Sequence, residues 1–219
     1  IIAKNSVAFE EKYGNDLPLA PGQYDDDSLS NGGELLKLAL GTLAIHEFEY
    51  DDDRPWPELA DGNGYSLVLS HVTDQSALTP LDPLGHGRSS QWRSSSAIDG
   101  SPGASDPTDT LVGDPNIDTD ADGFDVLLEH FFGTSDDAPS SPMTVTVSGG
   151  QASLTFPINP LADDVSHRVE FSDDLENWTI LENITARTNS SMTYTTDLAT
   201  AQSKLYFRVR AQQVEAVPR

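Results

Sequence analysis

Between positions 118 and 129 the chain reads DTDADGFDVLLE, and its acids fall where a divalent cation would need oxygen ligands. Asp118, Asp120 and Asp122 occupy positions 1, 3 and 5 of the pattern D-x-[DN]-x-[DN]-G-x5-E, with Gly123 at position 6 and Glu129 at position 12. A hard cation takes about six to eight oxygens at roughly 2.3–2.6 Å, and alternate residues of a tight loop point their carboxylates at one centre. Gly123 permits the sharp turn, Phe124 is expected to give its backbone carbonyl, and Glu129 is expected to swing back as a bidentate carboxylate. Val126 has no side-chain oxygen for position 9, so a water or the neighbouring Asp125 is expected to complete the shell. The expected cofactor is therefore calcium, held by Asp118, Asp120, Asp122, Phe124, Asp125 and Glu129.

The segment that must position Glu129 has the spacing of a helix. Phe124, Leu127, Leu128, Phe131 and Phe132 repeat at i, i+3, i+4, i+7 and i+8 and make one apolar face, which predicts a helix over 126–132. Gly133 is placed to end it as the left-handed C′ residue. Residues 111–116 (LVGDPN) are poor helix material because of their Gly and Pro. The expected unit is thus an EF-hand-like loop with one exiting helix rather than a helix-loop-helix hand. No second copy of the pattern occurs in the sequence, which favours a structural clip over a calcium sensor.

Composition narrows the partners. The 219 residues carry 36 acidic against 12 basic side chains, a net charge of −24. Neutralising phosphates requires clustered Lys and Arg, so no nucleic-acid partner is expected. The balance suits surroundings in which divalent ions and salt relieve self-repulsion. There is no cysteine, which removes disulfides, thiolate nucleophiles and Cys-ligated zinc. No apolar run reaches the length of a membrane span. The chain opens at Ile1 without Met and without a leader-like apolar segment, and is read as a piece of something longer.

Three segments separate along the chain. Residues 1–104 alternate apolar runs with Gly, Asn, Asp and Pro turns, and suggest a strand at 1–3, a short helix at 6–13 burying Val7, Phe9 and Tyr13, and strands at 34–40, 44–50 and 65–70. Residues 105–140 form an acidic linker that holds the calcium loop and its short helix. Residues 141–219 show short runs at 143–148, 152–156, 168–172, 178–181, 192–195 and 205–211, with Trp178 and the alternating Tyr206-Phe207-Arg208-Val209-Arg210 as expected core and edge elements. The fold class expected is mainly β: two immunoglobulin-like β-sandwiches joined by the calcium-binding loop and one short helix.

A resemblance sharpens the first block. Its segments 28–34 (SLSNGGE), Phe48 and Tyr50-Asp51 through Trp56-Pro57, 61–67 (DGNGYSL), 91–95 (QWRSS) and 100–103 (GSPG) are similar to the motifs of the bacterial lamin-tail domain, an immunoglobulin-like sandwich. In that likeness Trp56 and Trp92 close an end of the sandwich, and the match covers only the later part of the domain, so its first strands are expected to be lacking here. An unpaired edge of that kind is prone to association. The run GFDVLLEHFFGTSDD resembles an element that joins modules in large secreted proteins of planctomycete and verrucomicrobial-type bacteria. The runs HRVEFSDDLENWT and KLYFRVRA look like the C-terminal β-modules of the same proteins. The resemblance implies the C-terminal, noncatalytic end of a large exported protein, extracellular or at the cell surface. Its partners would be upstream domains of the same protein, and polysaccharide or cell-envelope components in an adhesive role.

Other chemistry finds little support in the sequence. His46, His71, His86, His130 and His167 show no H-x-x-x-H spacing, and there is no G-x-S-x-G elbow, phosphate loop or dinucleotide fingerprint. The acidic turns at 25–27 and 51–53 are candidates for further cations, with solvated turn residues as the simpler reading. Trp56 and Tyr24 are candidates to stack on sugars. The function expected is a noncatalytic, calcium-stabilised module that spaces, anchors or docks a larger exported protein. The alternatives are an accessory region of a secreted enzyme (a kinase of the spore-coat type, a hydrolase or a nuclease) or a carbohydrate-binding module.

Overall fold

The computed structural model describes residues 1–21, 28–70, 79–83, 85–181, 184–198 and 204–214. Among them the chain is mainly β, with antiparallel strands in four small sheets and two α-helices. Helix α1 (Ser6–Tyr13) starts where Asn5 accepts a hydrogen bond from the Ala8 N–H at 3.0 Å. Strands β1 (Glu34–Leu40) and β2 (Leu43–Tyr50) form a hairpin, and β3 (Leu67–Leu69) pairs with β4 (Trp92–Ser94).

The later part holds two larger sheets. The first runs β5 (Thr144–Ser148), β6 (Gln151–Pro157), β10 (Ser191–Asp197), β9 (Ile184–Arg187); the second runs β11 (Tyr206–Gln213), β7 (Val165–Ser172), β8 (Thr179–Leu181). Gly149 and Gly150 join β5 to β6 with φ of 59° and 81°. A two-residue hairpin loop with both residues left-handed matches the twist of the flanking strands, and only glycine takes both positions without strain.

These two sheets share one core with helix α2 (Val126–Phe132). Leu154 and Phe156 of β6, Met192 and Tyr194 of β10, and Val165 and Val169 of β7 pack with Leu127, Phe131 and Phe132. Burying such side chains stabilises by about 1.5–3 kcal/mol each, so α2 is part of this core and not only a connector. The first block differs, since Trp56 and Pro57 are its buried apolar side chains among those described. Its interior is polar: Gln91, Arg93, Ser94 and Ser95 are all under 5 % exposed.

Several expectations need correcting. Residues 1–3 form no strand; the Ile1 ammonium donates to the Pro18 carbonyl and the Ala20 N–H to the Ile1 carbonyl, with no ladder beyond. Val7 is 62 % exposed, because Phe9 and Tyr13 share the face of α1 that meets Asp99 and position 7 lies on the other side of the helix. Trp178 is half-buried outside the core, with the Arg208 guanidinium 3.8 Å from its ring centre. Trp56 is buried, its ring centre 6.2 Å from that of Trp92. Tyr24 lies outside the described residues.

Candidate metal centre

The acidic loop is shaped by its own carboxylates. Ala121 and Gly123 take left-handed backbone, φ 61° and 97°, and the turn so made presents main-chain N–H groups to the acids. Gly123 N–H donates to Asp118 Oδ2 at 3.0 Å, Asp122 N–H to Asp120 Oδ1 at 3.1 Å, and Phe124 N–H to Asp122 Oδ1 at 2.9 Å. The other oxygen of Asp122 accepts from the Ser140 N–H at 2.6 Å. As a result, Asp118, Asp120 and Asp122 each hold a carboxylate oxygen within 4.8 Å of the others.

Electrostatics follow from that crowding. Burial pushes the Asp120 carboxyl up, and Asp122, Asp118 and Asp136 add to the shift against the Asp122 N–H. Asp122 is instead held below its ordinary value by the main-chain N–H groups of Ser140 and Phe124.

Helix α2 brings the fourth acid. Asp125 caps it by accepting from the Leu128 N–H at 2.9 Å, and Gly133 ends it in left-handed backbone, φ 73°. Val126 N–H donates to the Ile117 carbonyl and Leu127 N–H to the Pro115 carbonyl, which fastens the helix start to the loop entry. Glu129, on this helix, is 1 % exposed. Its Oε1 accepts from Thr134 Oγ1 at 3.2 Å, while its Oε2 and Asp120 Oδ2 are buried with no hydrogen-bond partner. Burial raises Glu129 to about 7, the Thr134 hydrogen bond opposes this, and Asp120, Asp122 and Asp136 push it further up. A buried carboxylate without a counter-charge or donor costs several kcal/mol. A divalent cation would satisfy both orphaned oxygens, so the residues present fit the ion their spacing suggests.

The roles within the pattern are not uniform. Asp118, Asp120 and Asp122 are brought together, and Glu129 is close enough to feel the charge of Asp120 and Asp122. Asp125 gives one oxygen to the helix cap. Phe124 packs its ring 5.8 Å from that of Phe132. Asp136 joins the loop without having been singled out: it accepts from the Thr119 N–H at 3.2 Å and from the Thr119 hydroxyl. It lies beyond the last position of the pattern, so only the acidic run after Gly133 could have pointed to it. Asp51 caps its own turn, accepting from the N–H groups of Asp52 and Asp53 at 2.8 and 3.0 Å, and these hydrogen bonds hold its carboxyl low against a smaller effect of burial. The turn at 25–27 lies outside the described residues.

The histidines divide. His130 Nε2 lies 3.1 Å from Asp164 Oδ1, and His167 Nε2 lies 2.8 Å from the Tyr194 hydroxyl. Burial, and then the nearby Arg187 charge, lower His167 to about 4. His46 and His86 meet with ring nitrogens 2.9 Å apart, which no H-x-x-x-H search would find; the D-x-x-x-H spacing of Asp82 and His86 was the available signal. A cleft of about 1100 Å³ runs between the first and last blocks, lined by Trp56, Gln91, Arg187, His167 and Tyr194 among others. Among the described residues no helix is long and apolar enough to cross a membrane. Comparison of the chain with models of protein families, with curated proteins and with solved structures gives no match.

Proposed function

We propose that this chain is a noncatalytic, calcium-stabilised extracellular module, built of two immunoglobulin-like sandwiches, that spaces, anchors or docks a larger exported protein. The observation that carries the reading is Glu129, buried with an unpartnered Oε2 beside the clustered carboxylates of Asp118, Asp120 and Asp122. In this reading calcium neutralises the cluster, takes the orphaned oxygens as ligands, and locks the loop to α2 and so to the core of the last block. Magnesium substitutes poorly because it demands a smaller octahedral shell and gives up water reluctantly.

The test is calorimetric titration of chelator-treated protein with calcium. One bound ion per chain at or below millimolar concentration is expected, and no binding in that range would reduce the loop to an acidic linker. The same reading expects no turnover of phosphate esters, peptides or glycosides. Turnover lost on substituting a single His or acidic residue would favour an enzyme instead.

A further inference from the structure

A second set of ligand atoms converges in the first block, and it is of different chemistry. His46 stands on β2, where the Glu47 N–H donates to the Leu81 carbonyl at 2.9 Å and draws the 79–83 segment against the strand. Asp82 is 9 % exposed, and its two oxygens accept from the His86 N–H at 2.8 Å and the Gly87 N–H at 2.9 Å. Those bonds turn the chain back so that His86 Nδ1 faces His46 Nε2 at 2.9 Å. One ligand atom from each of the three residues lies within 4.8 Å of the others.

We propose that His46 Nε2, His86 Nδ1 and a carboxylate oxygen of Asp82 bind a transition-metal ion of the zinc class, with water in the fourth position. Two imidazoles and one carboxylate are a nitrogen-rich set that suits zinc and its neighbours and not calcium. The carboxylate is oriented by two main-chain donors, and each oxygen keeps a lone pair for a cation. The His86 carbonyl accepts from Trp92 Nε1 at 2.7 Å, and the rings of Phe48 and Trp92 lie 5.4 and 6.0 Å from that of His86. This gives the ligands a fixed, largely apolar wall.

The block itself has a use for such a clip. Trp56 and Pro57 are its buried apolar side chains among those described, and the chain has no cysteine with which to cross-link. Small folds with thin cores gain stability from a metal in this way. An ion here would tie β2 to the 82–86 turn and, through Trp92, to β4.

The experiment uses the full chain, stripped with chelator and returned to millimolar calcium so that the acidic loop is saturated. Zinc is then titrated against a chromophoric chelator, and cobalt is added separately as an absorbance probe of tetrahedral geometry. One equivalent of zinc and a tetrahedral cobalt spectrum are expected. Both should disappear in His46→Gln with His86→Gln, and both should persist in Asp118→Asn with Asp120→Asn. Zinc bound equally by the unsubstituted chain and the double histidine variant, or by neither, overturns the site. If the histidine variant does not fold, nitrogen-15 spectra of the unsubstituted chain decide. Zinc should shift the side-chain resonances of His46 and His86 and leave those of His130 and His167 in place, and unmoved His46 and His86 signals overturn the proposal.

Discussion

The Arg93 guanidinium on β4 donates through Nε to both carboxylate oxygens of Asp163, at 2.9 and 3.2 Å, across 70 positions of sequence. Its Nη1 donates to Asp106 Oδ1 at 2.6 Å, and all three side chains are 3 % exposed or less. Burial pushes the Asp106 carboxyl up, yet hydrogen bonds from Arg93, Ser96 and Ser101 outweigh it and leave it below its ordinary value. The first block, the linker and the last block therefore meet at one charge.

Removing that charge takes the counter-charge from two buried carboxylates. Arg93→Ala should lower unfolding stability by about 3–5 kcal/mol in urea titration. Arg54→Ala, which breaks the exposed pair with Glu58, should cost less than about 1 kcal/mol. Equal losses in the two variants would mean that the Arg93 cluster is no stronger than a surface pair.

Calcium should raise the melting temperature of the unsubstituted chain, in line with roughly 2.7 kcal/mol at a hundredfold excess over the dissociation constant. Asp120→Ala with Glu129→Gln should abolish the rise. Asp125→Ala should cost about 1 kcal/mol for the lost helix cap, by the same amount with and without calcium. A calcium-dependent loss in the Asp125 variant would make that residue a ligand as well as a cap.

His167 sets an acid limit. Its folded value is about 4 against an ordinary 6.5, so between these values the unfolded chain takes up a proton that the folded chain refuses. Stability is fully present above the ordinary value and is lost as pH falls toward the folded one. The ring borders the open cleft, so the loss is discounted to on the order of 2 kcal/mol. His167→Gln should flatten the fall in melting temperature over this range relative to the unsubstituted chain, and an unchanged slope would assign the acid sensitivity to other groups.

The linker should open to protease when calcium is removed. Val112, 90 % exposed, marks the accessible stretch, whereas α2 is protected by the core it enters. Cleavage in chelator should fall between positions 105 and 123, and calcium should slow it. Cutting first inside α2 would contradict the packing of Phe131 and Phe132.

Periodicity was enough for the elements that bury one face. The apolar repeat from Phe124 to Phe132 became α2 with Gly133 as its terminator, the run ELLKLAL became β1 although Leu35, Leu38 and Leu40 stay exposed, and the Asp118, Asp120, Asp122 cluster was readable from spacing alone. Strands β4 and β9 were not legible, because WRS and ITAR are too short to show alternation and owe their state to the partners they pair with. That α2 belongs to the core of the last block was equally hidden, since an apolar face does not say what it will pack against. Asp136, Asp82 and the meeting of His46 with His86 depend on how turns fold back, of which the D-x-x-x-H spacing and the acidic run after Gly133 carry only a part.

Helix α2 both carries Glu129 into the loop and plugs the core between the two larger sheets. Tension that passes the Arg93–Asp163 and Leu111–Asp164 contacts is therefore received at the Val126–Ile117 and Leu127–Pro115 main-chain bonds. It does not reach the free edge of a strand that would unzip bond by bond. An ion bridging Asp118, Asp120 and Glu129 would share this load in parallel with those bonds, so that loop and helix yield together. With an ion bound there, the junction would behave as a rivet whose strength depends on that ion.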